Sequence, residues 1–220
     1  MKKCLYTLSL SLLTLPLFFS TGCAEYDYTR HISEARSDIF RAETDEFTFT
    51  LSCVDREQPY LADGVACEMT SRIEIVLAPV QPITADFYVT INGAFGGDMS
   101  FRNTSGDYYY SQGVESFPSS SVAVKLTWGE EEREFTATSV KNEKTLSVED
   151  ALSAATNSEK ELIAGMTQNN EFYGEFYIRL LRRDKNFYYV GIIGKSETTV
   201  SLLIDAESGE VLARRESSLR

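Results

Sequence analysis

The feature that most constrains the fold is a series of short alternating segments between residues 46 and 139, with no helical pattern between them. Apolar and polar residues alternate along each segment, as in strands that bury one face. Pairs such as Asn92-Gly93 and Gly96-Gly97 suit the tight turns between such strands. The sequence therefore predicts a two-layer β-sandwich of about seven short strands. We expect strands at 46–53, 67–77, 86–92, 98–102, 108–111, 121–128 and 132–139, and a helical turn or a strand at 32–40.

A different pattern begins at Ser147. Ser147 and Asp150 have the spacing of a capping box, in which a serine and a carboxylate satisfy free backbone N–H groups at a helix start. Apolar residues then recur at helical spacing up to Met166, and Gly165 is placed to end the helix. Four alternating segments follow, so one helix packed on an antiparallel sheet is expected. Those segments are 172–181, 186–193, 198–205 and 210–214.

Residues 145–215 resemble a PepSY domain. The resemblance rests on the helix start Ser147-Val148-Glu149-Asp150-Ala151, on Tyr188-Tyr189-Val190, and on the closing hairpin Ile204-Asp205-Ala206-Glu207-Ser208-Gly209-Glu210-Val211-Leu212. The long basic stretch 179–185 departs from the usual pattern of the family. PepSY domains occur in propeptides of secreted metallopeptidases and in envelope lipoproteins, where a role in restraining a peptidase has been proposed. The resemblance therefore implies a noncatalytic binding module and an extracellular protein partner, with a secreted peptidase as one candidate.

The N-terminus has the layout of a cleavable export signal. Two lysines precede an apolar run over residues 5–19, which is shorter than the roughly 20 residues that a transmembrane helix needs. The following Ser20-Thr21-Gly22-Cys23 resembles the lipobox of bacterial lipoproteins, although Ser20 replaces the usual aliphatic residue. We expect lipid on Cys23, which would anchor the protein to the extracytoplasmic face of the cell membrane. The alternative is an ordinary secretory signal followed by a chance cysteine.

The charge distribution supports a division of the exported part. Removing the leader with its two lysines changes the formal net charge from −12 to −14. Residues 24–144 carry a net charge of −11 and residues 145–220 a net charge of −3. So acidic a chain argues against binding to nucleic acid. The predicted organisation is a signal peptide at 1–22, a tether and lead-in segment at 23–45, an immunoglobulin-like β-sandwich at 46–144, and a PepSY-like α+β domain at 145–220.

Cys53 and Cys67 are predicted to form a disulfide, because disulfides persist in exported proteins. Facing cysteines would place Leu51 opposite Met69 and would close a loop of about 15 residues, worth roughly 3 kcal/mol of stability. In that register Phe47 would lie opposite Ile73. The alternative, two free thiols that bind a metal, lacks neighbouring histidines or further cysteines.

Two segments contain candidate binding residues. The long connection 54–66 carries Arg56, Glu57, Tyr60 and Asp63, and it is either a recognition loop or a loop that only packs on the sandwich. The run at 108–110 suggests a glycan-binding alternative in which Tyr108 and Tyr110 stack on sugars, although strand alternation would bury some of these rings.

No residue pattern indicates an enzyme. The single histidine, His31, lies only eight residues after Cys23, which disfavours a Ser-His-Asp or Cys-His arrangement. We predict no catalytic residues, no metal site and no cofactor. A hydrolase that uses two carboxylates would need an open cleft that holds two close Asp or Glu side chains.

Overall fold

The protein is mainly β, as predicted from the strand pattern. The computed structural model describes residues 26–61, 63–65, 67–194 and 198–218. The predicted signal peptide and Cys23 lie outside these residues. In the described part of the chain, no helix is both long enough and apolar enough to cross a membrane.

Most strands agree with the predicted positions to within a few residues, and several are longer than predicted. The prediction of a tight turn at Gly96-Gly97 is wrong, because both glycines lie within an additional strand at 95–98 and pair with residues 89 and 90. Residues 32–43, which were predicted as a helical turn or a strand, form a strand of 12 residues. The first strands are β1 (Ile32–Glu43), β2 (Phe47–Glu57), β3 (Met69–Pro79), β4 (Tyr88–Ile91), β5 (Phe95–Asp98), β6 (Ser100–Arg102), β7 (Asp107–Gly113), β8 (Ser121–Trp128) and β9 (Glu131–Ser139). The later elements are α1 (Val148–Ser158), α2 (Lys160–Gly165), β10 (Thr167–Gln168), β11 (Glu171–Phe172), β12 (Gly174–Arg182), β13 (Asn186–Gly194), β14 (Thr198–Asp205) and β15 (Val211–Ser218).

Strand β1 joins the two halves of the molecule. A continuous path of nine hydrogen-bonded strands runs in the order β15-β14-β13-β12-β1-β2-β3-β7-β6. One edge of β1 pairs with β2 in antiparallel fashion. The other edge pairs with β12 in parallel near Ile32–Arg36 and then with β9 near Phe40 and Arg41. The sheet therefore forks along β1, where β12 leads into the C-terminal half and β9 leads into the N-terminal half.

Two hydrophobic cores lie on either side of this fork. In the N-terminal half, inward side chains of β2, β3 and β7 pack against those of β4, β8 and β9, including Leu51, Ile75 and Leu126. In the C-terminal half, α1 packs on one face of the sheet formed by β12, β13 and β14. β1 contributes Ile39 to the C-terminal core and Phe40 to the N-terminal core.

The capping box at the start of α1 is confirmed. The Ser147 side chain accepts a hydrogen bond from the backbone N–H of Asp150, and the Asp150 carboxylate accepts one from the backbone N–H of Ser147. The predicted single helix is divided at Glu159, whose backbone leaves the helical conformation, so that α2 is a separate short segment ending at Gly165.

The predicted disulfide between Cys53 and Cys67 is wrong in this structure, because both thiols are free. Strands β2 and β3 pair in a register that places Cys53 opposite Ile73. Leu51 then lies opposite Ile75 and Phe47 opposite Pro79. Cys67 precedes β3 and is exposed, whereas Cys53 is buried in the N-terminal core, and this burial raises the pKa of its thiol to about 12.

Candidate functional site

The most distinctive polar cluster lies where β12, β1, β2 and β3 run side by side. Its centre is the Glu34 carboxylate on β1, whose side chain is fully buried. Arg179 Nε on β12 donates to Glu34 at 2.6 Å, and Arg56 Nε on β2 donates at 2.7 Å. Burial disfavours the charged carboxylate, but the hydrogen bonds from Arg179 and Arg56 outweigh this effect and lower the pKa of Glu34. Glu34 is therefore held as an anion between two cations.

The cluster continues onto β3 through Glu74. Arg56 Nη1 donates to Glu74 at 2.8 Å, so one guanidinium bridges the carboxylates of Glu34 and Glu74. Arg36 reaches Glu74 only at 3.9 Å, and its Nε is buried without a hydrogen-bond partner. We call Glu34, Arg36, Arg56, Glu74 and Arg179 the seam network, because their strands come from both halves of the protein.

The connection between β2 and β3 is held beside the seam network by Glu57. The two oxygens of its carboxylate accept hydrogen bonds from the backbone N–H groups of Leu61, at 3.1 Å, and of Cys67, at 2.9 Å. Glu57 thus ties the two limbs of residues 58–68 together, and we call this segment the clamp loop. The Tyr60 ring lies over the Arg56 guanidinium, with 5.5 Å between the ring centroid and Cζ.

A second carboxylate, that of Glu175 on β12, is buried at the clamp loop. Neither of its oxygens has a hydrogen-bond partner in the described part of the chain, and the residue is 0% exposed. Burial and then the negative charge of Glu57 raise the pKa of Glu175 to about 7, and the charge of Asp63 adds a lesser effect. The nearby Gly64 backbone N–H opposes this shift without forming a hydrogen bond of normal geometry. Glu175 is thus the least satisfied carboxyl group around the loop.

Tyrosines extend the polar surface away from the seam network. The Tyr177 ring lies next to the Arg179 guanidinium, and the Tyr189 hydroxyl contacts the Ser201 hydroxyl at 2.9 Å. Gly191 makes room for Tyr177, because a Cβ atom at this position would lie only 1.9 Å from a ring atom. The exposed face of the C-terminal sheet therefore presents tyrosine hydroxyls and rings beside arginine.

The structure brings together the four candidate residues of the 54–66 connection. Arg56 belongs to the seam network, Glu57 holds the clamp loop, Tyr60 covers Arg56, and Asp63 lies in the loop. Sequence reasoning missed Glu34, Arg36, Glu74, Glu175 and Arg179. The available signal was opposite charges two positions apart, as in Glu34 with Arg36 and Arg72 with Glu74.

The two tyrosines proposed for sugar stacking lie elsewhere. Tyr108 is 2% exposed and belongs to the N-terminal core, where its hydroxyl donates to the Ile83 carbonyl at 2.8 Å. The prediction that its ring stacks on a ligand is therefore wrong. Tyr110 is half-buried, packs near Gly97, and points its hydroxyl at the Gln112 side chain.

His31 belongs to an aromatic cluster near the start of the described chain. Its Nε2 lies 2.9 Å from the Tyr26 hydroxyl, and its ring packs edge-on against Phe172. Burial and the nearby charge of Arg30 lower the pKa of His31. Among the described residues, no group of three His, Cys, Asp or Glu side chains is arranged to hold a metal ion.

A scan against protein-family models found none that matches this chain, and searches of curated proteins and of solved structures found no match either.

Proposed function

We propose that this chain is a noncatalytic protein-binding module, anchored by lipid on Cys23 to the extracytoplasmic face of a cell membrane. The observation that carries the proposal is a pair of apolar side chains on the clamp loop that the fold leaves exposed. Leu61 and Val65 are exposed by 54% and 49%, while Glu57 and the seam network hold the loop from below. Exposed apolar side chains on an ordered support are typical of protein interfaces.

The fold is consistent with the modules that the sequence suggests. Two strand layers around one core support an immunoglobulin-like sandwich for the N-terminal half. A capped helix on an antiparallel sheet that ends in the hairpin of β14 and β15 supports a PepSY-like C-terminal half. On that resemblance, a secreted peptidase is the first partner to test.

The arrangement of the buried carboxylates supports a noncatalytic role. Glu34 has its oxygens occupied by two arginines, and Glu175 lies beneath the clamp loop. General acid–base chemistry requires a carboxyl group that can reach its substrate. A shared buried ion pair instead suits a rigid support for a binding surface.

Changing the clamp loop is expected to weaken partner binding at least tenfold without unfolding the protein. In the variant Leu61→Ser/Val65→Ser, two apolar side chains that the fold leaves exposed become polar, so we expect at least a tenfold weaker interaction. The matched control is Val80→Ser, because Val80 is 55% exposed at another site. Partners would be trapped with a photo-crosslinking amino acid at position 61 and quantified against the same crosslinker at position 80.

Equal crosslinking at both positions would contradict the proposal. The proposal would also be contradicted if the protein comprising residues 24–220 bound defined sugars on a glycan array and the loop variant bound the same sugars equally well. That result would favour the alternative of a cell-wall or glycan-binding lipoprotein, for which the buried ring of Tyr108 provides no contact surface.

Lipid attachment can be tested independently of the partner. Metabolic labelling with a radioactive fatty acid is expected to mark the exported protein, and Cys23→Ala is expected to remove the label completely. Cys4→Ala is the matched control, since Cys4 lies within the predicted leader and should leave labelling unchanged. An unlabelled wild-type protein would refute the lipid anchor.

A further inference from the structure

Arginines from several strands lie on the face of the sheet that carries the seam network. Arg215 on β15 pairs in register with Ser201 on β14, and that row continues through Gly191 and Tyr177. Tyr177 pairs with Glu34 on β1, which pairs with Arg56 on β2. Cross-strand partners point to the same face of a sheet, so this row presents its side chains together.

A second row lies beside the first. Tyr189 on β13 pairs with Arg179, Arg179 pairs with Arg36, and Arg36 pairs through Val54 with Arg72 on β3. Neighbouring strands are about 4.8 Å apart. Arg36 therefore lies one strand from Arg179 and two strands from Arg72, whereas Arg215 lies three strands beyond Arg179. At the far edge, Arg102 on β6 lies over the Tyr109 ring. We call the six residues Arg36, Arg56, Arg72, Arg102, Arg179 and Arg215 the arginine strip.

Two arginines of the strip, Arg72 and Arg215, have no carboxylate partner among the described residues. The residues that pair with it are Glu34, Glu74 and Asp107. Arg72 donates two hydrogen bonds to the Ser111 hydroxyl, and neither Arg72 nor Arg215 has a carboxylate within 4.0 Å among the described residues. At the clamp loop, the carboxylates of Glu57 and Glu175 are buried and that of Asp63 is exposed. The uncompensated positive charge is therefore that of Arg72 and Arg215, in a chain whose formal net charge is −12. Such a local reversal of sign attracts an anionic partner.

The clamp loop determines which kind of anionic partner fits. Tyr60 covers Arg56 of the strip, and the exposed side chains of Leu61 and Val65 belong to the same loop. A phosphate polymer would leave these apolar side chains unburied. A protein segment that carries both carboxylate and apolar side chains would use both surfaces, and arginine and tyrosine are the residues enriched in protein interfaces.

We propose that the arginine strip and the clamp loop together dock an acidic, partly apolar segment of the protein partner. This inference rests on the proposed function and adds the chemistry of the partner. The carboxylates of that segment pair with Arg72 and Arg215, which have no carboxylate partner of their own, while its apolar side chains cover the loop. The seam network keeps the intervening arginines in place.

The test uses fluorescence anisotropy with a labelled short peptide of alternating glutamate and leucine. We expect the exported protein to bind this peptide, and to bind it more weakly at 200 mM than at 50 mM salt because exposed charges are screened. Arg72→Gln/Arg215→Gln should weaken binding about tenfold. The control Lys125→Gln/Arg133→Gln removes two cations from β8 and β9, where exposed carboxylates already surround them, and should change binding less than twofold.

Equal affinity of the strip variant and the wild type would overturn the inference. Tighter binding of inorganic polyphosphate than of the peptide would also overturn it, in favour of a phosphate polymer. Crosslinking of the partner by the loop variant and by the strip variant distinguishes this inference from the proposed function. If the loop variant loses the partner but the strip variant keeps it, the proposed function stands and the acidic segment is refuted; if both keep it, both proposals fail.

Discussion

Glu175→Gln is expected to stabilise the protein by about 2–3 kcal/mol at pH 8 and to have little effect at pH 5. Glu175 is buried without a hydrogen-bond partner, and its pKa in the folded state is raised from 4.5 to about 7. The folded protein therefore binds this proton more tightly than the unfolded chain does. The stability that depends on the proton is fully present below pH 4.5 and is lost as the pH rises through 7. Glutamine cannot ionise, so it removes this loss.

Urea unfolding at a series of pH values between 5 and 8 measures this effect. The free energy of unfolding of the wild type should fall with pH relative to that of the variant, and the gap should level off above pH 8. Glu115→Gln is the control, because Glu115 is an exposed carboxyl and should give a gap near zero at every pH. A constant gap between wild type and Glu175→Gln across this range would show that Glu175 titrates normally.

Glu34→Gln is expected to destabilise the protein by about 2–4 kcal/mol at pH 7. The Glu34 carboxylate accepts hydrogen bonds from Arg179 and Arg56, and a neutral amide would leave two closely spaced guanidinium groups without their shared anion. The side chains of Arg56 and Arg179 are 21% and 33% exposed, so water compensates part of the loss. This keeps the expected cost below that of a fully buried pair.

The pH dependence of Glu34→Gln has the opposite sign to that of Glu175→Gln. Because the folded-state pKa of Glu34 is lowered, its contribution is present above its ordinary pKa of 4.5 and is lost as the pH falls further. Urea unfolding should thus show a difference that shrinks in acid. The control Glu131→Gln removes an exposed ion pair with Arg133 and should cost less than about 0.5 kcal/mol. An equal cost for the two variants would mean that the seam network contributes no more than a surface pair.

Local signals were sufficient to predict most of the strands and the start of the helix. Alternation along β2, β8 and β13 identified each as a strand, because only one face of each contacts a core. Ser147 and Asp150 identified the start of α1, because both capping hydrogen bonds connect residues three positions apart.

Interactions between distant residues could not be predicted in this way. Glu34 and Arg179 are separated by 145 positions, and nothing near either residue indicates that β1 pairs in parallel with β12. The disulfide prediction failed for a related reason. The phases of β2 and β3 were correct, but sequence alternation fixes only the face of a residue and leaves the register free to shift by two positions at a time. The pairing actually found moves Cys67 beyond the end of the ladder.

The special role of the clamp loop could be predicted in part from the sequence. The length of the predicted 54–66 connection and its residues Arg56, Glu57, Tyr60 and Asp63 indicated a special segment, and the structure gives Glu57 and Tyr60 specific contacts. Arg56 and Glu57 lie at the end of β2, however, so the connection begins later than predicted. The sequence could not indicate that Glu175 lies buried at the loop, because the distance along the chain exceeds 100 residues and charged residues in strands are usually exposed.

The parallel pairing of β1 with β12 has a consequence for biogenesis. The chain is synthesised from its N-terminus, so β1 is available long before β12, the strand that pairs with its outer edge. Until residues 174–182 arrive, one edge of β1 has unpaired backbone groups near Ile32–Arg36, which is the kind of edge that recruits foreign strands. We therefore expect the nascent protein to depend on a holding chaperone until residues 174–182 have been synthesised.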